Sequence, residues 1–133
     1  LIGTTFVTRF APRILNIHPS LLPAYKGLHT HERALADGVK QHGVTVHIVS
    51  ERLDDGPTIL QAALDIKSAD TATTLAARVL VLEHLLYPFV LSSLAHGDLE
   101  ITRSDVIWHA RQSALNRLAP SKRAQLEASL IWP

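Results

Sequence analysis

Apolar residues recur at three- and four-residue steps along Leu75, Val79, Leu82, Leu86, Val90 and Leu94, the repeat of one helix face. Asp70 or Thr71 supplies an N-cap and Gly97 a stop, so a long helix is predicted from there to about His96. Glu83, His84 and Pro88 interrupt its apolar run. Pro88 leaves the His84 carbonyl without its donor, which predicts a kink. The longest mostly apolar stretch, Val79 to Leu91, is shorter than the ~20 residues a membrane span needs, so the helix reads as buried.

The other patterns are shorter. Ile14 to His18 reads as a strand stopped by Pro19, and a loop starting at Ser20 is punctuated by Pro23 and Gly27. Thr30 to Asp37 has helix-forming content and ends at Gly38. Gly43 to Ser50 is rich in β-branched residues and reads as a strand. Asp54-Asp55-Gly56-Pro57 is a turn signal, followed by a strand from Thr58 to Ile66. Leu99 to Thr102 and Val106 to His109 read as two short strands, and a last helix is predicted over Ser121 to Leu130 in a basic tail that begins at Arg111. Strand, helix, strand, strand and long helix point to an α/β layer fold.

Composition narrows the function classes. The 133 residues fit one domain. With 13 basic and 12 acidic side chains, the net charge of +1 argues against binding nucleic acid or a membrane surface by bulk electrostatics. The chain has no cysteine, which excludes a disulfide framework, a thiolate zinc site and an all-cysteine iron–sulfur cluster. No basic segment followed by an apolar one opens the chain, so no signal peptide is visible. The chain starts at Leu1 and contains no methionine, so it is expected to be processed, trimmed or part of something longer.

Candidate chemistry gathers around the first strand. Side chains at i and i+2 of a strand share a face, so Asn16 and His18 emerge side by side before a proline-ended turn. An amide can donate to a developing oxyanion, and an imidazole can move a proton near neutral pH. The plain alternative is that Asn16 satisfies a loop backbone and His18 merely ends a strand. Asp54 or Asp55 can orient His18 and favour its imidazolium, or simply form an Asx-turn. His47, flanked by Val46 and Ile48, faces either the site or the core. Glu83 is an edge residue of the long helix, or an acceptor for sugar hydroxyls. His29 and His31 do not share a helix face and H-E-x-x-H is absent, so no metal site is expected. No G-x-G-x-x-G, P-loop or G-x-S-x-G occurs.

Taken in order, four segments resemble the phosphoribosylglycinamide formyltransferase family. They are Asn16-Ile17-His18-Pro19-Ser20-Leu21-Leu22-Pro23, Gly27-Leu28-His29-Thr30-His31, His42-Gly43-Val44-Thr45-Val46-His47, and Leu53-Asp54-Asp55-Gly56-Pro57 with Ile59-Leu60-Gln61. Arg78 and Glu83-His84 extend the likeness through the long helix; it is weak beyond Asp105. The resemblance implies a Rossmann-like mixed sheet with helices on both faces. It implies transfer of a formyl group from 10-formyltetrahydrofolate to the amine of glycinamide ribonucleotide, in purine biosynthesis, without a metal. Asn16, His18 and Asp54 match the family's catalytic trio. Leu1, Ile2, Val7, Ile14, Val49, Ser50 and Glu51, with Asn16 and Asp54, match the folate site. Ile17 and Glu83 match substrate-binding positions, Glu83 the one for ribose hydroxyls.

The family's first strands and its glycine-rich phosphate loop have no counterpart here. The resemblance therefore implies the C-terminal part of a single formyltransferase domain over 1–133, with 111–133 a basic helical tail. It further implies a cytoplasmic monomer or homodimer, with no nucleic-acid or membrane partner, and a chain inactive on its own. Two alternatives stand beside it. One is formyltetrahydrofolate deformylase, with water as nucleophile; the other is a non-catalytic folate-binding fragment.

Overall fold

The computed structural model describes residues 2–103 and 105–133. Its elements run α1 (Thr4–Phe10), β1 (Leu15–His18), α2 (Thr30–Ala36), β2 (Gln41–Ile48), β3 (Thr58–Asp65) and α3 (Ala72–Ala95), then β4 (Leu99–Ile101), β5 (Val106–Trp108), α4 (Arg111–Asn116), α5 (Pro120–Glu127) and β6 (Leu130–Ile131). One sheet has the order β1-β2-β3-β6, and β4 pairs β5 in a separate ladder. The α/β class agrees with the sequence reading. Every described pairing is antiparallel, so the parallel part of the expected mixed sheet is not among the described residues.

Strand β2 is the centre of the sheet, and every residue from His42 to Ile48 is buried. Val44, Val46 and Ile48 meet Ile59, Leu60 and Ala62 of β3 and Leu75, Val79, Leu82, Leu86, Phe89 and Val90 of α3 in one core. The helical period read from the sequence is thus the face that packs on the sheet. Thr71 caps α3 by accepting the Thr74 N–H at 3.2 Å, while the Thr74 hydroxyl accepts the Thr71 N–H at 2.9 Å. The helix runs through Pro88 as one element, where the sequence predicts a kink. By length and composition α3 could cross a membrane, but it carries seven buried residues and packs against β2 and β3.

The tail differs from its prediction. It holds two short helices rather than one, and it ends in a strand, β6, that pairs with β3 through Gln61↔Ile131 and Ala62↔Leu130. Phe89, Trp108 and Trp132 pack together, with Trp108 and Trp132 centroids 4.9 Å apart in an edge-to-face arrangement. The Trp108 indole N–H donates to the Ile59 carbonyl at 3.1 Å. These contacts hold the tail on the side of the sheet farthest in strand order from β1.

Candidate active site

Strand β1 lies at the open end of the sheet, and its pleat separates chemistry from core. Leu15 and Ile17 pack against the core cluster, while Asn16 is exposed and His18 turns into a polar niche. Val49 donates to the Ile14 carbonyl at 2.8 Å, so Ile14, Asn16 and His18 are the positions bonded to β2. The Ile17 N–H and C=O therefore face the open edge, and its side chain is committed to the core.

The loop after β2 brings the carboxylate. Ile48 donates to the Pro57 carbonyl at 2.9 Å, which closes the loop. Gly56 passes so near that a Cβ there would lie 1.6 Å from the Ile48 carbonyl oxygen. Asp54 takes a left-handed conformation (φ 49°), which Asp tolerates better than bulkier residues. This turns its carboxylate inward to 7% exposure. There Oδ2 accepts the Gly27 N–H at 2.8 Å and stands 3.4 Å from His18 Nδ1. Oδ1 stands 3.8 Å from His47 Nε2, and His47 Nε2 lies 3.4 Å from Asn16 Nδ2. Asn16, His47, Asp54 and His18 thus form one continuous polar chain.

Proton positions follow from the partners. His18 Nε2 lies 2.8 Å from the Tyr25 carbonyl, which can only accept, so Nε2 carries a proton. Nδ1 faces a carboxylate, so only a ring protonated at both nitrogens donates to both neighbours. The Nδ1 contact, at 3.4 Å, is longer than an ordinary hydrogen bond, so a proton on Nδ1 would be open to a third group. Burial pushes His47 below the ordinary imidazole value, an effect only partly offset by the Ile48 carbonyl and Asp54. Burial also raises Glu83, on α3, against the lowering influence of His84 and His18. Behind His18, burial and the neighbouring His31 and His18 bring His42 down to about 4. His31 Nδ1 lies 3.1 Å from His42 Nε2. Among the described residues, no group of three or more His, Cys, Asp or Glu could hold a metal ion.

A cavity of about 290 Å³ opens beside this chain, between α1, β1 and the 49–54 loop. The predicted residues Ile2, Val7, Ile14, Asn16, Val49, Ser50, Glu51 and Asp54 all line it. Leu1, also predicted there, lies outside the described residues. Arg52 and Leu53 line it within the same 50–54 loop, as does His47, which the sequence leaves open between site and core; Thr4 and Leu15 line it without any sequence signal for it. The Thr8 hydroxyl donates to Glu51 Oε1 at 3.0 Å, tying α1 to the loop. The Lys26–Asp55 ion pair ties the loop before α2 to the same segment. His18, Ile17 and Glu83 do not line this cavity; His18 borders a neighbouring one with Pro19 and residues Gly27 to Glu32, and reaches the first only through Asp54. A larger one, about 650 Å³, lies between Pro12, Tyr87, Leu91, Leu94 and Arg103, and contains none of Asn16, His18 or Asp54. The smaller cavity is the candidate site, because the titratable chain opens into it.

Residues 1–91 match a protein-family model described as formyl transferase. The chain is 48% identical over 101 residues to phosphoribosylglycinamide formyltransferase of Escherichia coli, an alignment covering 76% of this chain and 48% of that relative. Among solved structures, the phosphoribosylglycinamide formyltransferase of Coxiella burnetii aligns with a TM-score of 0.77 at 51% identity, covering 82% of this chain and 51% of that one. The enzyme of the same name from Anaplasma phagocytophilum aligns with a TM-score of 0.79 at 40% identity, covering 84% and 55%. The chain spans about half the length of these relatives.

Proposed function

The chain belongs to the formyl transferase family, and from that premise we propose that it is the folate-binding and catalytic part of a phosphoribosylglycinamide formyltransferase. The activity is transfer of the formyl group of 10-formyltetrahydrofolate to the amine of glycinamide ribonucleotide, a step of purine biosynthesis in the cytoplasm. The observation that carries this reading is the polar chain Asn16–His47–Asp54, which lines a cavity walled by Val7, Ile14 and Val49 and continues through Asp54 to His18 behind it. Residues 1–133 are read as the C-terminal part of one formyltransferase domain.

Each group has a role that its position suits. The folate's bicyclic ring lies in the cavity, its apolar face on Val7, Ile14 and Val49 and its polar edge on the Ser50–Asp54 loop. The acceptor amine attacks the formyl carbon, and the carbonyl oxygen becomes an oxyanion. Asn16 Nδ2 and the His18 Nδ1 proton donate to it. The carbon–nitrogen bond to folate then breaks. The leaving nitrogen gains a proton and the acceptor nitrogen gives one up, so the transfer is proton-neutral, with His18 passing the proton. Asp54, held by the Gly27 N–H, keeps His18 oriented and balances its charge. Glu83 accepts from the acceptor's ribose hydroxyls, and Ile17 contributes its main chain at the open edge of β1. No step calls for a metal.

Product analysis tests the reading. A polypeptide of the relatives' full length carrying these residues is expected to consume 10-formyltetrahydrofolate only when glycinamide ribonucleotide is present, with the label recovered on the amine. Free formate released without the amine would instead make the chain part of a deformylase.

A further inference from the structure

Asn16 is exposed, and its side-chain nitrogen meets the protein at His47, its partner across β1 and β2. His47 is 2% exposed. Its Nδ1 lies 3.1 Å from the Ile48 carbonyl, which can only accept, so Nδ1 carries the ring proton. Nε2 is then a lone pair, and the Asn16 amide donates to it across 3.4 Å. The contact is long for a hydrogen bond, so it biases rather than locks which end of the amide faces the ring. Nδ2 is turned to the histidine with one N–H engaged and the second left for a ligand.

We propose that His47 is a positioning residue that holds Asn16 as a donor by keeping Nε2 unprotonated. The assignment deepens the formyl-transfer reading and rests on it. The charged groups around the ring fit this role. His18 approaches from β1 and disfavours a second cation, Asp54 Oδ1 stands 3.8 Å away in the loop, and Glu51 and Arg52 line the same cavity. From β3 the facing residue is Thr58, which carries no charge. A proton on Nε2 would face the Asn16 N–H donors and turn the ring toward Asp54. The amide would then flip and present its oxygen to the reacting carbonyl, where an acceptor opposes the developing oxyanion. Burial keeps that proton off until the medium is acidic.

Two measurements test this. Imidazole nitrogen NMR on the whole chain at neutral pH is expected to show His47 as the Nδ1–H tautomer. An Nε2–H tautomer or a cationic ring there overturns the assignment, whatever the activity. In a polypeptide of full family length, His47→Leu keeps apolar bulk and removes the acceptor. It is expected to lower kcat by about 10- to 100-fold with little change in the folate KM, the scale of a misplaced catalytic group. His47→Gln restores an acceptor and is expected to recover most of the loss, with a weaker acid limb in the pH profile of kcat. Equal kcat for His47→Leu and wild type overturns the proposal. Should His47→Leu fail to fold, the tautomer still decides. Wild-type turnover in Asn16→Ala would instead remove the formyl-transfer role of Asn16, leaving the tautomer result as a separate finding.

Discussion

Replacing His18 by alanine, in a polypeptide of full family length, is expected to lower kcat by about 10²- to 10⁴-fold, the range that a positioned general acid supplies. The Tyr25 carbonyl holds the His18 Nε2 proton at 2.8 Å, and Nδ1 faces Asp54 at 3.4 Å without a short bond, so a proton taken up there is free to move. That loosely held proton is the one the oxyanion and the leaving nitrogen need. Asp54→Ala should fall in the same range, because the carboxylate both faces His18 and anchors the Gly27 N–H. Both side chains are buried and hydrogen-bonded outside the apolar core, so each variant should lose about 1–3 kcal/mol of stability, read from urea midpoints, and stay folded. Wild-type turnover in both variants would remove the site assignment.

Gly56→Val should damage folding and turnover together. A Cβ at this position would sit 1.6 Å from the Ile48 carbonyl oxygen and 3.4 Å from the Ser50 nitrogen. No flexible side chain is there to move aside; the atoms in the way are backbone. The loop must open at the Ile48–Pro57 hydrogen bond, which also moves Asp54 away from His18. Overpacking of this kind costs about 1–3 kcal/mol, occasionally more, and so deep an overlap with the Ile48 peptide puts the expected loss at or above about 3 kcal/mol. Displacing the carboxylate should cost about 10² in kcat, as a misplaced group does. Measured urea midpoints and kcat both equal to wild type would contradict this account of the loop. The contrast with His18→Ala separates a chemical role from a structural one.

The sequence made α3 legible because three independent signals agree there: the apolar period, a capping threonine at Thr71 and a glycine stop at Gly97. Strand β2 was found but displaced. It begins at Gln41, whose amide donates to Asp65 at 3.1 Å, and β-propensity does not register such a polar start. Helix α1 has no signal in the sequence pattern. Its Thr-Thr-Phe-Val-Thr core favours helix poorly, and only Val7 is buried. It is tied in place by Thr8 and Glu51. Strand β6 is two residues long and exists through pairing with β3, a non-local contact that no window of sequence contains. In the candidate site, the i, i+2 spacing of Asn16 and His18 puts them on one strand face but leaves their chemistry open, and Asp54 stands out from Asp55 only by resemblance. His47 stayed open between core and site, and the structure gives it both: it is buried, and it touches Asn16. That contact depends on the register of β1 against β2, which fixes Asn16 opposite His47.

The most direct test of the central claim is a crystal structure with a hydrolysis-resistant analogue of 10-formyltetrahydrofolate. The bicyclic ring is expected between Val7, Ile14 and Val49, with the formyl oxygen about 3 Å from both Asn16 Nδ2 and a His18 ring nitrogen. An analogue seated instead in the cavity between Tyr87, Leu91 and Arg103, with Asn16 and His18 untouched, would contradict it.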